Sequence, residues 1–540
     1  MKKKLQALFI TILLSITGCG FNPNYVDKYN HQYDDLEVSQ LESVYSNYTY
    51  KDFDKNNFYT ELGWPFSYTP SIGEVNYIVV PLWFTDSKEC IALSSREKVR
   101  EDIQKSFFGT ESDTGWESVS TYYYKDSFEK LNLDGVVTEW YETNKSISNY
   151  FTDGNATQTL VKEVYDWIVN NNKVDDLTKY DADSDGFLDG LVLVYGYHNA
   201  NTIRYIKQDY KDRSNLWAYT SSTMNAKNKN VEQPGPNIFF WTSYDFMYGS
   251  EDYTATRTGK SKYGAGDTSN VSVDTHTFIH ETGHMFGLND YYDYAGEHSY
   301  SLGFSMQDYD VGAHDPFSRF SLGWAKAIVP TETVKVALPL MEESGTFVLL
   351  TPEYNNSAFD EYLALELYSP TGLNELDSEN HYLNYYPKGP LKVGVRLWHV
   401  DSRLIHITKY NMFTFNVKSY ELTSNPTLGT ALHATSNTTY NGKNKDRTSD
   451  YAGSYDYKQL TVIRNNYKQI NSFGIPVEEE ARPEVLLESD LFYQGDYFSF
   501  HNYRAQFVNG EALNSERNLG WNFYIDKITS DYATITLIKY

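Results

Sequence analysis

Short, fully apolar runs of strand length alternate with helix-period stretches through the first part of the chain, and farther on the pattern changes to strands alone. Asn76–Phe84 (NYIVVPLWF) and Gly190–Tyr195 (GLVLVY) are continuous apolar runs, the signature of strands buried on both faces of a central sheet. Asn237–Trp241 reads as a third, and Leu131–Tyr141 alternates as a further strand. Between them, Leu160, Val161, Val164 and Ile168 recur at helical spacing and predict a helix over Thr157–Asn171. Helices are also expected over Ser95–Phe108 and Val119–Phe128, and from Asp315-Pro316 toward Gly323, with aspartate as cap and proline in the first turn. From Val334 onward the pattern is all strand: Val334–Leu340, Thr346–Leu350, Tyr362–Leu367, Val393–Val400, Gln459–Arg464, Trp521–Ile525 and Ala533–Ile538. The expected class is an α/β domain followed by a mostly β, sandwich-like region.

One stretch departs from this packing logic and carries chemistry. Residues His280–Asp290 read HETGHMFGLND, on a helix expected over Asp274–Phe286 with Asp274 as its cap. Positions i and i+4 share one helix face, so His280 and His284 can close on one metal ion. Zn²⁺ takes such nitrogen and oxygen donors and, for catalysis, leaves a fourth position for water. Glu281, next to the first histidine, points beside that position, where it can take a proton from the water. Gly287 lets the helix stop and the chain turn back, because glycine adopts left-handed backbone angles cheaply, and the turn delivers Asp290 as third ligand. Glu297 and His298 rank below Asp290 because no turn delivers them. His276 lies on the same face, but the eight residues from it to His284 span about 12 Å, too far for one ion. Tyr291, Tyr292, Tyr309 and His314 are the candidates for stabilising an oxyanion.

A second constellation is Asp181–Asp189 (DADSDGFLD), the start of an EF-hand-type loop. Asp181, Asp183, Asp185 and Asp189 stand at positions one, three, five and nine, and glycine at six permits the sharp turn. Position twelve is Val192 rather than a bidentate glutamate, and a strand follows. The expectation is a structural Ca²⁺ site, with the Phe187 carbonyl completing the shell, and not a calcium sensor.

Three stretches together, HETGHMFGLNDYYD, SMQDYDVGAHDPFSRFSLGWAKA (Ser305–Ala327) and FFGTESDTGWESVSTYYYKDSFEKLNLDGVVTEWY (Phe107–Tyr141), resemble secreted metallopeptidases of the immune-inhibitor-A type, which belong with the metzincin-like zinc proteases. The resemblance implies a metzincin-like fold with His280, His284 and Asp290 as zinc ligands and Glu281 as general base. It implies that Met306 is the methionine of the turn beneath the metal, and it supports calcium in the aspartate loop.

Composition changes the picture in two respects. The chain has 540 residues, more than one domain's usual size, and a net charge of −26 from 46 basic and 72 acidic residues, which argues against nucleic acid as a partner. Its opening, MKKKLQALFITILLSITGCG, sets lysines before a short apolar run, and Ile16–Cys19 resembles the bacterial lipobox. The expectation is a lipoprotein anchored through Cys19 to the outer face of the bacterial cell membrane, with plain secretion as the alternative. Cys90, the other of two cysteines, then has no intrachain partner and is expected as a small buried hydrophobe.

The organisation that follows is a signal peptide over 1–18, an irregular tether over 19–70, a catalytic domain over 71–332 and a β-rich region of one or two domains over 333–540. The expected function is a zinc-dependent endopeptidase acting on extracellular proteins or peptides. A surface adhesin, or a glycan- or protein-binding lipoprotein on a peptidase scaffold, is the alternative, and a zinc hydrolase of non-peptide bonds a third reading. A decayed scaffold usually loses the base or a ligand, and here all are present.

Overall fold

The structure, a computed structural model, describes residues 28–41, 67–152, 154–207, 211–223, 230–248, 272–293, 300–378, 388–411, 416–423, 432–433, 435–437, 457–467 and 486–540. The signal segment, Cys19, Glu297, His298 and most of the tether lie outside these residues.

The first half is built on β1 (Gly73–Trp83), α1 (Arg96–Phe108), α2 (Val119–Asp126), β2 (Leu131–Val137), β3 (Tyr141–Glu142), α3 (Gly154–Asn170), β4 (Leu191–Tyr195), α4 (Ala200–Lys207), β5 (Tyr219–Ser222), β6 (Ile238–Ser243), α5 (His276–Met285) and α6 (Pro316–Ser321). The sheet order is β2-β1-β4-β6-β5, with β3 also on β1. Its strands run parallel except β5, which pairs antiparallel with β6 at one edge.

The period-two geometry of β1 explains why its apolar run is unbroken. Val75, Tyr77 and Val79 face one way, into a core with Ile103 and Phe107 of α1, Tyr122 and Tyr123 of α2, and Phe278, Ile279 and Met285 of α5. Ile78, Val80 and Leu82 face the other way, against Leu160, Val161, Val164 and Ile168 of α3. The sheet is therefore the middle of three layers, and α5 lies on one face of it. The α6 cap is as expected: Asp315 accepts from Ser318 N, with Pro316 in the first turn. The alternating strand expected over Leu131–Tyr141 breaks after Val137 and resumes only as β3.

The second half contributes β7 (Lys326–Ile328), β8 (Val334–Pro339), β9 (Thr346–Leu350), β10 (Glu361–Tyr368), β11 (Gly394–Asp401), β12 (Leu404–Asn411), β13 (Asn416–Thr423), β14 (Leu432–His433), β15 (Leu460–Ile463), β16 (Tyr497–Phe498), β17 (Trp521–Ile528) and β18 (Tyr532–Lys539). They form sheets of order β15-β11-β10-β9-β7, β13-β12-β14 and β16-β17-β18-β8. Leu363, Leu365 and Leu367 of β10 share one core with Phe523, Ile525, Ile535 and Leu537 of β17 and β18. The other face of β10 turns Tyr362 and Ala364 toward Phe317 and Phe320 of α6 and toward Tyr291. The β region thus packs directly on the segment that follows the histidine motif. Each such fully buried side chain contributes roughly 1.5–3 kcal/mol.

A buried ionic relay reinforces that junction. Arg319 of α6 donates to Asp126 of α2 at 2.9 Å and to Glu342, beyond β8, at 2.8 Å, and His314 sits 2.6 Å from the same aspartate. Burial alone would push Asp126 up, but Arg319 and His314 more than offset it and hold it down at about 2. Cys90 is half-buried rather than fully enclosed, packed at the margin of both cores of the first half.

Candidate metal centre and cleft

The histidine helix is α5, two residues shorter at its start than expected, with Asp274 Oδ1 accepting from His276 N at 2.9 Å just ahead of it. Its apolar side (Phe278, Ile279, Met285) is fixed in the core, which turns His280 and His284 to the opposite side. The two imidazole centroids are 4.9 Å apart. The helix ends as the glycine requires: Gly287 has φ +86°, and Leu288 N reaches back to Gly283 O at 3.2 Å. The returning chain sets Asp290 Oδ1 3.0 Å from His280 Nε2 and 3.1 Å from His284 Nε2. The three side chains offer ligand atoms all within 4.8 Å of one another.

Both imidazoles are oriented from behind. His280 Nδ1 is 2.7 Å from the Met306 carbonyl and His284 Nδ1 is 2.8 Å from the Leu288 carbonyl. With those nitrogens donating, each Nε2 presents a lone pair to the same point. Met306 is itself fully buried in the core beneath the helix. Gly283 is needed for a second reason, since a Cβ there would collide with the Gln307 side-chain amide, which also approaches His284 Nδ1 at 3.3 Å.

The field at this point favours positive charge. Burial alone would pull His284 down, yet the Asp290 carboxylate outweighs it and lifts the imidazole to about 10. Burial alone would likewise raise Asp290, but His284 and His280 hold it well below the usual carboxylate range. Glu281 is buried and pushed upward by desolvation; His284 and His280 pull it back, and Asp290 adds to the push. Its Oε2 is enclosed and has no hydrogen-bond partner among the described residues, while the carboxylate also accepts from the Thr220 backbone. Two convergent imidazole nitrogens, a carboxylate oxygen and a buried carboxylate beside them form a donor set that fits a zinc ion with a general base.

Glu281, His284 and Asp290 open into a cleft of about 460 Å³, which is also lined by Tyr68, Trp217, β5, Ile238, Leu288 and Tyr292. Of the four oxyanion candidates, Tyr292 lines this cleft, its ring stacked 6.1 Å from that of His280. Tyr309 is exposed and packs its ring 5.1 Å from Tyr292. The other two are corrected. Tyr291 is buried with its hydroxyl 2.8 Å from Ser318 Oγ, and His314 is committed to Asp126 and Gln307. Tyr291 faces the junction with the β region and His314 the core beside α2, and neither lines the cleft. His276 is buried, with its ring 6.4 Å from that of His280, and stands outside the group of three. The cleft residues Tyr68, Trp217 and Thr220 were not anticipated. They come from polar or irregular segments, and no local pattern marks them.

The aspartate loop closes as its spacing suggests. Asp185 N and Gly186 N donate to the two oxygens of Asp181 at 2.9 and 3.0 Å, and Gly186 takes φ +86°. Asp181, Asp183 and Asp185 bring ligand oxygens within 4.8 Å of one another. Partial burial and the facing carboxylates of Asp185 and Asp181 push Asp183 up to about 7. Phe187 is buried and forms a bridge to Gly235. Asp189 does not join the cluster. Its carboxylate turns back to accept from Ala182 N at 3.0 Å and so braces the loop.

No curated protein matches the chain. Residues 87–190 match the family model described as immune inhibitor A peptidase M6, catalytic domain. The matched span begins ahead of α1, takes in the aspartate loop and ends before α5, so the match does not depend on the histidine motif. The match over this span supports a metallopeptidase of the immune-inhibitor-A type.

Proposed function

We propose that this protein is a metzincin-like zinc endopeptidase that cleaves proteins or peptides outside the cell. The observation that carries the reading is the convergence of His280 Nε2 and His284 Nε2 on Asp290 Oδ1, at 3.0 and 3.1 Å, beside the buried Glu281 carboxylate. Zinc bound by His280, His284 and Asp290 supplies Lewis-acid polarisation of a water and of the scissile carbonyl. Glu281 takes the proton of the attacking water on Oε2 and delivers it to the leaving amine nitrogen. Burial shifts Glu281 upward, which makes it a stronger base, and we assign the oxyanion to Tyr292, whose side chain lines the cleft. Among the described residues β5 is the edge strand of its sheet and its Tyr219, Thr220 and Ser221 line the cleft, where an extended peptide backbone can add as a further strand.

The three clustered aspartates fit a Ca²⁺ ion, which takes several carboxylate oxygens and would relieve their mutual repulsion. We read the sheets of the second half as a sandwich-like accessory region. The lysine-led apolar segment and Cys19 support a lipid-anchored protein on the outer face of a bacterial membrane, with secretion as the alternative. Among the described residues, no helix is long and apolar enough to cross a membrane.

Glu281→Ala tests the mechanism. The variant retains zinc and its fold and loses roughly 10²- to 10⁴-fold in casein cleavage; substantial residual turnover sinks the assignment.

A further inference from the structure

Residues 67–71 form no regular structure, yet their polar atoms are engaged with distant parts of the fold. Ser67 N donates to Asn237 Oδ1 at 2.7 Å, and Ser67 Oγ donates to Asp185 of the aspartate loop. Thr69 N donates to the carbonyl of Met285, the last residue of α5, at 3.0 Å. Thr69 Oγ1 donates to Asp189 O at 2.5 Å and lies 3.0 Å from Tyr77 Oη. Ser71 Oγ donates to Leu322 O at 2.9 Å, and its carbonyl accepts from Trp324 Nε1 at 2.7 Å. Ser67, Thr69 and Ser71 are all buried. In an extended strap with this alternation, the residue between the first two anchors must face the other way.

That residue is Tyr68, which is half-buried and lines the cleft with Glu281 and His284. Its ring packs against the turn at Gly287, where a Cβ would lie 3.3 Å from Tyr68 Cε1 and Cζ. Trp217, Ile238 and Leu288 complete an apolar lining beside the catalytic carboxylate. An aromatic ring anchored on both sides is preorganised, so a substrate side chain gains its contact without paying to order it.

We propose that Tyr68 is a specificity-determining residue of the cleft, selecting a large apolar side chain next to the scissile bond. Ser67 acts as a positioning residue, tying that wall to the aspartate loop through Asp185. The proposal rests on the peptidase reading, and two readouts separate their failures. The first is kcat/KM on peptide pairs that differ only by Phe or Gly beside the scissile bond. The second is the Kd of Phe and Gly hydroxamate dipeptides for the zinc-loaded protein, which needs no turnover.

Tyr68→Ala should cut the Phe-over-Gly ratio at least about tenfold in both readouts, with zinc content and melting temperature holding near wild type. Tyr68→Phe should restore the ratio, because the ring and not the hydroxyl makes the contact. Ser67→Ala should lower the ratio part of the way, and Ser67→Thr should recover it. A wild-type protein that binds the hydroxamates with the Phe preference but cleaves no peptide would sink the peptidase reading and leave Tyr68 in place. An unchanged ratio in folded Tyr68→Ala, or a wild type with no Phe preference in either readout, overturns the proposal.

Discussion

His280 Nε2 and Asp290 Oδ1 stand 3.0 Å apart although a helix end, a glycine turn and ten positions of chain separate them. The turn at Gly287 makes that approach, and the Met306 carbonyl behind His280 fixes which nitrogen meets it. Asp290→Ala removes one of the three proposed ligands without touching the helix. Zinc affinity should fall by more than about 100-fold, beyond the 10- to 100-fold typical of groups that only orient ligands. Stoichiometric zinc after dialysis of the variant, measured by atomic emission, would show that another group is the third ligand.

The aspartate loop predicts a calcium-dependent stability. Ca²⁺ at about a hundred times its Kd should stabilise the fold by about 2.7 kcal/mol, a rise of a few degrees in melting temperature. Asp183→Asn combined with Asp185→Ser should abolish the rise. Asp189→Asn should only lower the melting temperature throughout, since Asp189 holds the Ala182 backbone and not the cluster. A calcium response that survives the double substitution would assign the ion elsewhere.

Much of the catalytic half was legible in the sequence because its strands are buried on both faces and its helices on one. β1, β4 and β6 announced themselves as apolar runs, and α3 by the spacing of Leu160, Val161, Val164 and Ile168. The strand that lines the cleft was not legible. β5 reads YTSS, an edge strand of intermediate exposure with no alternation, and only its pairing to β6 defines it. The small sheet of β12, β13 and β14 was missed in the same way. At the site, side-chain ligands were readable from spacing, whereas the Met306 and Leu288 carbonyls and Tyr68 act through tertiary contact. Tyr291 and His314 show the converse error. Nearness to the motif in sequence suggested catalytic work, but one is spent on Ser318 and the other on Asp126.

The anchor makes a separate prediction from the residues before the described structure. With Cys19 lipidated, the mature protein begins at that cysteine, partitions with membranes and incorporates a fatty-acid label. Stable anchoring requires two or more acyl chains, since one binds only marginally. Cys19→Ser should release the protein to the medium or stall its processing; an unchanged mature N-terminus and location would make the chain simply secreted.

His198 offers a test of pH dependence away from both metal loops. Its Nδ1 lies 3.1 Å from Asp245 Oδ2, and that buried carboxylate is further held by Asn199 and Ser243. Burial alone would lower His198, but the bond to Asp245 and the Cys90 side chain outweigh it and raise the imidazole to about 10. A raised folded value stabilises the protonated native state. The contribution is full below the unfolded value near 6.5 and is lost as pH rises toward 10. Asp245→Asn leaves the buried imidazolium without its counter-charge and should cost about 3 kcal/mol at pH 6. It should also flatten the decline in stability between pH 7 and 10. Urea unfolding of wild type and variant across that range measures both effects, and parallel curves, equally steep from pH 7 to 10, would contradict a charged His198.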